Sequence, residues 1–169
     1  MRYQLLIICS IFFHFSCSKI QKQEQSYLLQ VGDIYYNPKI DEANFKLCDE
    51  FRVLQYYNFG EGLQYKGEKI EIIEYFLSRY KAKNIKNETG FVTIRFLVNC
   101  KGLTGRFRIE GMDYDFQKKE FDQSITNQLL ALTQQLDGWI IGEYEGKTYD
   151  YYQYLTFKIK DGKLIEIMP

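Results

Sequence analysis

Histidine occurs once in this chain of 169 residues, at His14, and proline only twice, at Pro38 and Pro169. Lysine plus arginine and aspartate plus glutamate balance at 22 each, so the formal net charge is zero. That balance lacks the electrostatic footprint of nucleic-acid binding, and no nucleic-acid partner is expected. So little proline excludes a stiff polyproline spacer. The glycines form no loop that would cradle a phosphate. The N-terminal apolar stretch, "LLIICSIFFHF" at residues 5–15, has only 11 residues. A helix of that length covers ~17 Å, against the ~30 Å of a bilayer's hydrocarbon core.

That stretch has the size of a signal-peptide h-region, and Arg2 supplies a positive n-region. Ser16 and Ser18 flank Cys17. The pattern resembles the lipobox of a bacterial lipoprotein, although His14 stands where such boxes usually place leucine. The resemblance implies a signal peptide at 1–16, lipid on Cys17 and a lipidated tether at 17–30. It further implies a periplasmic, membrane-anchored lipoprotein of a Gram-negative bacterium. An ordinary secretory signal or an uncleaved anchor is the alternative. Residues 19–30, "KIQKQEQSYLLQ", are too polar to support a core.

With residues 1–16 removed no histidine remains, which excludes Ser-His and Cys-His nucleophile systems. Carboxylate pairs occur at Asp113 with Asp115 and at Glu143 with Glu145, but among 22 acidic residues they read as solvated surface. No enzyme activity, catalytic residue, cofactor or metal is expected. Of the four cysteines, Cys9 lies in the signal and Cys17 takes the lipid, which leaves Cys48 and Cys100. In an oxidising compartment two leftover cysteines commonly pair, and a zinc site would need further ligands at set spacing. A Cys48–Cys100 disulfide is expected, with two separate buried thiols as the alternative.

The chain beyond the tether has the length of one domain, and its 46 % hydrophobic content supports a core. Residues 31–59 carry no clear period and receive no assignment. Ile70, Ile73, Leu77 and Tyr80 then fall on one stripe of a helix. Val92, Ile94, Phe96 and Val98 alternate with Thr93, Arg95, Leu97 and Asn99, the pattern of a half-buried strand. A turn at Cys100-Lys101-Gly102 leads to a second strand with Phe107 and Ile109 on one face. Phe121, Ile125, Leu129, Leu132 and Leu136 form the strongest helical stripe, with Gly138 as its expected left-handed cap and Trp139 folding over the core. Leu155, Phe157 and Ile159 alternate in a late strand. Asp161-Gly162 predicts a tight hairpin, with residues 163–167 pairing back. The expected class is α+β: an antiparallel sheet of three to four strands packed against two amphipathic helices.

From Gly67 to Lys160 this order resembles the C-terminal domain of TonB in the form common in Bacteroidetes. Gly67 precedes a helix, and "GFVTIRFLVNCKG" stands for the family's strand and turn. "DGWIIGEYEGK" matches its W-x-x-G, and Phe157-Lys158-Ile159 its closing F-x-I. The resemblance implies a TonB-like domain over 67–169, with 31–66 as an N-terminal extension. It also implies a protein partner in the envelope, such as a TonB-dependent receptor of a transport system, whose short peptide adds as a strand to an exposed sheet edge. That edge corresponds to residues 152–160 here, with Tyr152, Tyr154, Thr156, Phe157 and Lys158 as the peptide-binding residues. TonB's spanning anchor is missing: Ser10 and His14 share the spacing of a Ser–His pair in TonB's membrane helix, yet Lys19 and Lys22 follow too soon. Residues 163–167 would cover the very edge the family leaves open. A closed edge implies the alternative, a non-catalytic, lipid-anchored accessory or structural subunit of an envelope complex.

Overall fold

A computed structural model of the chain describes residues 32–59 and 63–168. The expected signal peptide at 1–16, the expected lipid site Cys17 and the expected tether at 17–30 lie outside the described residues. None of the described helices is long and apolar enough to cross a membrane.

Six strands and two helices make an α+β domain. In chain order they are β1 (Val53–Gln55), α1 (Glu68–Arg79), β2 (Gly90–Val98), β3 (Thr104–Met112), α2 (Gln123–Gln134), β4 (Gly142–Tyr144), β5 (Lys147–Lys160) and β6 (Lys163–Met168). A short 3-10 turn, Tyr56–Phe59, follows β1. The sheet order is β1-β5-β2-β3, with β4 and β6 also paired to β5. The expected antiparallel sheet of three to four strands is therefore corrected to a mixed sheet of six strands. The parallel pair is β1 with β5, which joins Val53–Gln55 to Asp150–Tyr152. A strand of three residues is too short to show a period, and 31–59 carried no other sign of it.

β2 and β3 form the expected hairpin. Gly102 closes its turn at φ 77, a conformation glycine adopts without the Cβ penalty. The Asn99 carboxamide accepts from the backbone N–H of Lys101 and Leu103, both at 3.0 Å. The register slips between Arg95 and Leu97, where Arg106 sits at φ 54 as a bulge.

Val92, Ile94, Phe96 and Val98 face the helices and join Leu155, Phe157 and Ile159 in the main core. The opposite side of β2 is buried too, which the half-buried reading missed. Thr93, Arg95 and Leu97 are all buried; Arg95 and Leu97 lie under residues 32–52, and Ile34, Phe45, Leu97 and Tyr152 make a second, smaller core there.

α2 buries Ile125, Leu129 and Leu132, flanked by buried Phe121 and Leu136. Its first turn is capped by Asp122, whose carboxylate accepts from Ser124 N–H at 2.8 Å. Gly138 is not the cap. The helix ends four residues earlier at Gln134, and Gly138 is not among the positive-φ positions. Its lack of a side chain instead lets Tyr65 approach, since a Cβ there would lie 2.7 Å from that ring. Trp139 packs between Tyr65 and Phe96, with ring centroids 4.8 and 5.1 Å away.

α1 turns its expected stripe only half inward, with Ile73 and Tyr80 packed against the main core. Ile72 and Phe76 are its buried residues, while Ile70 and Leu77 stand about 60 % exposed. Two apolar stripes overlap on this helix, and Phe76 decides between them by packing on Phe157 at 4.8 Å. Its aromatic ring carries more area to bury than any aliphatic side chain on the rival stripe.

Candidate functional site: the flanks of the long strand

β5 runs for 14 residues. One side pairs with β2 from Tyr151 to Ile159. The other side is shared by three short strands: β4 takes 147–149, β1 takes 150–152, and β6 takes 156–160. The residues expected to form an open edge therefore lie mostly inside the sheet. Asp161 and Gly162, at φ 49 and 75, make the tight turn that returns β6.

Tyr152 pairs with Leu97 on one side and Gln55 on the other. Its hydroxyl donates to Asp33 at 3.0 Å, and burial, with help from that carboxylate, pushes it up to about 12. Thr156 pairs with Thr93 and Met168, and the two threonine hydroxyls meet at 3.0 Å. Phe157 is fully buried against the helices, so its ring is part of the core. Lys158 pairs with Phe91 and Glu166, and its ammonium lies 3.8 Å from the Glu166 carboxylate. At these four positions β5 has a strand partner on both sides, and backbone groups already paired offer no ladder to an incoming strand.

Tyr154 is the exception. Among the described residues no strand pairs with 153–155 on the outer side. Side chains contact this stretch. Gln153 Nε2 donates to the Tyr154 carbonyl at 2.9 Å, and Tyr56 stands edge-on to the Tyr154 ring with centroids 5.6 Å apart. The hydrogen bond with Tyr154, reinforced by burial, pushes the Tyr56 hydroxyl up to about 12.

The far edge of the sheet, β3, is interrupted as well. Lys119 N–H donates to the Gly111 carbonyl at 2.9 Å, and the Arg108 guanidinium donates to the Phe107 carbonyl at 2.8 Å.

Cys48 and Cys100 form a disulfide with Cα atoms 6.1 Å apart. Beside it the buried Asp150 carboxylate accepts from the N–H groups of Cys48, Asp49 and Cys100 at 2.7, 2.8 and 2.8 Å. Cys48, Cys100 and Asp150 are also a group of potential metal ligands within 4.8 Å of one another. Here the sulfurs bond each other and the carboxylate serves backbone amides, so these donors are committed.

Three arginines hold residues 32–52 across the second sheet face. Arg95 donates to the Gly32 carbonyl at 2.6 Å, Arg106 to that of Ile34 at 3.4 Å, and Arg108 to that of Tyr35 at 2.8 Å. Arg106 also pairs with Glu50, and Arg108 with Asp41 at 2.6 Å. That hydrogen bond to Arg108 holds the Asp41 carboxyl below its ordinary value. Sequence reading missed Asp150 and the arginine trio. An arginine alternating in a strand looks like a solvent-facing residue until the covering segment is known.

Asp113 folds its own loop by accepting from Asp115 and Gln117 N–H, both at 2.9 Å, and Glu143 and Glu145 are exposed around the β4 hairpin. Comparison with protein-family models, with curated proteins and with solved structures finds no match to this chain.

Proposed function

We propose that this chain is a non-catalytic lipoprotein of a Gram-negative cell envelope, anchored through lipid on Cys17. Its TonB C-terminal-like domain serves as an accessory or structural subunit of an envelope protein complex. The pairing of β6 with Thr156–Lys160 carries this choice over strand addition, because it fills the edge an incoming peptide would need. The interruptions along β3 support the same reading. The order of helix, two-stranded hairpin, helix and closing hairpin supports the TonB-like assignment.

Strand addition is the second reading. What favours it is the stretch 153–155, which has no strand partner on its outer side among the described residues. One experiment separates the two. The full chain and a form lacking residues 163–168 are titrated with peptides from envelope receptors while the β5 amide signals are followed. The accessory-subunit reading expects no binding by the full chain. Saturable shifts at Gln153–Leu155 in the full chain would overturn it, and binding only after deletion would make β6 a removable cover. The anchor is tested separately: Cys17→Ala should move the protein into the soluble fraction, and a native mass that retains Met1 without acyl chains refutes it.

A further inference from the structure

We propose that the Cys48–Cys100 bond is a site of thiol–disulfide exchange with an external dithiol, and that its reduction frees residues 32–52 from the sheet while the helix-side core stays folded. The first support is access. Cys48 is exposed and Cys100 half-buried, so the bond lies at the surface and not inside the main core. Exposed disulfides are the labile ones, whereas enclosed ones resist exchange.

The second support is the way this strap is held. Residues 32–52 contain no helix or strand. Their apolar residues Ile34, Phe45 and Leu47 pack into the small cluster with Leu97 and Tyr152, apart from the main core. The rest of the grip is polar and reversible: the arginine contacts to Gly32, Ile34 and Tyr35, the ion pairs to Asp41 and Glu50, and the Asp150 carboxylate on Cys48 and Asp49. Among the described residues the disulfide is the only covalent cross-link between the strap and the β2–β3 turn. A segment with a small core of its own and many polar contacts opens locally at lower cost than the sheet beneath it.

The exchange balances without further partners. One thiolate of the dithiol attacks the Cys48 sulfur, the S–S bond breaks, and Cys100 leaves as a thiolate that takes up a proton. The second thiol of the reagent then displaces Cys48 from the mixed disulfide. Two electrons pass to the protein, two protons end on Cys48 and Cys100, and the dithiol becomes a disulfide.

The test uses the intact, folded chain and dithiothreitol, with hydrogen exchange read by mass spectrometry and thiols trapped by iodoacetamide. The expected result is reduction without denaturant. Amides of residues 32–52 should then exchange on the order of tenfold faster or more, while those of β2 and α2 keep their oxidised rates. A bond that yields to dithiothreitol only after denaturant is added overturns the exchange claim. Unchanged protection at 32–52 overturns the release claim, and equal loss of protection in β2 and α2 shows a structural staple instead. The double variant Cys48→Ser/Cys100→Ser should reproduce the reduced pattern with no reductant. The wild-type measurement decides the matter even if that variant fails to fold.

Discussion

The Asp150 carboxylate accepts the Cys48 backbone N–H at 2.7 Å across a sequence separation of 102 residues. With Asp49 and Cys100 as further donors, one buried acid on the long strand gathers the N-terminal strap and the β2–β3 turn around the disulfide. The disulfide therefore sits where the backbone is already held from the strand side.

Asp150→Ala should cost ~3 kcal/mol in urea unfolding, because several partly buried amides lose their charged acceptor together. Asp150→Asn should keep only part of this stabilisation, since its amide oxygen still accepts on one side while its NH2 faces the N–H groups held by the other oxygen. A loss below about 1 kcal/mol for the alanine variant would mean the carboxylate does not organise this corner.

Leu129→Ala should destabilise by ~2–5 kcal/mol through lost burial and the cavity left behind. Asn127→Ala, on the exposed side of the same helix, should stay within about 0.5 kcal/mol. Gln128 is no neutral control. Its side-chain amide accepts from Lys81 N–H at 2.7 Å and donates to the Lys81 carbonyl at 3.0 Å, tying α2 to the end of α1. Equal losses at Leu129 and Asn127 would show that the helix face is assigned wrongly.

β6 belongs to the core as well as to the sheet. Ile167 is 3 % exposed and pairs with Phe157, while Ile165 is 52 % exposed at the slip in register. Ile167→Ala should cost ~2–4 kcal/mol and Ile165→Ala close to nothing, measured by thermal unfolding. Indifference at both positions would argue that β6 is only loosely attached.

Acid should loosen the strap through Asp41. Its hydrogen bond to Arg108 lowers the folded-state value from the ordinary 3.8. A lowered folded value means that the ionised carboxylate stabilises the fold. The contribution is complete above about pH 4, and it is lost as pH falls through the folded value. The stability gap between wild type and Asp41→Asn should be present at neutral pH and shrink below about pH 4. A gap that stays constant across that range would place the effect in packing.

The sequence by itself determined the elements whose periods are local. The alternation at 92–98 and 155–159, the stripe from Phe121 to Leu136 and the Asp161-Gly162 turn each carry their conformation in neighbouring side chains. The α1 stripe was ambiguous because Ile70 with Leu77 and Ile72 with Phe76 satisfy the same period. Only contact with Phe157 selects the second pair.

Tertiary structure alone decided that β1 lies beside β5 and what covers the second face of β2. Ladder pairing uses backbone N–H and C=O groups that nearly every residue possesses, so the sequence of β5 cannot specify that β1 fills part of its flank, whereas β6 was legible from the Asp161-Gly162 turn. Arg95, Arg106 and Arg108 likewise read as solvent-facing until residues 32–52 fold across them. The value of a buried arginine depends on a partner that lies up to 72 residues away in the chain.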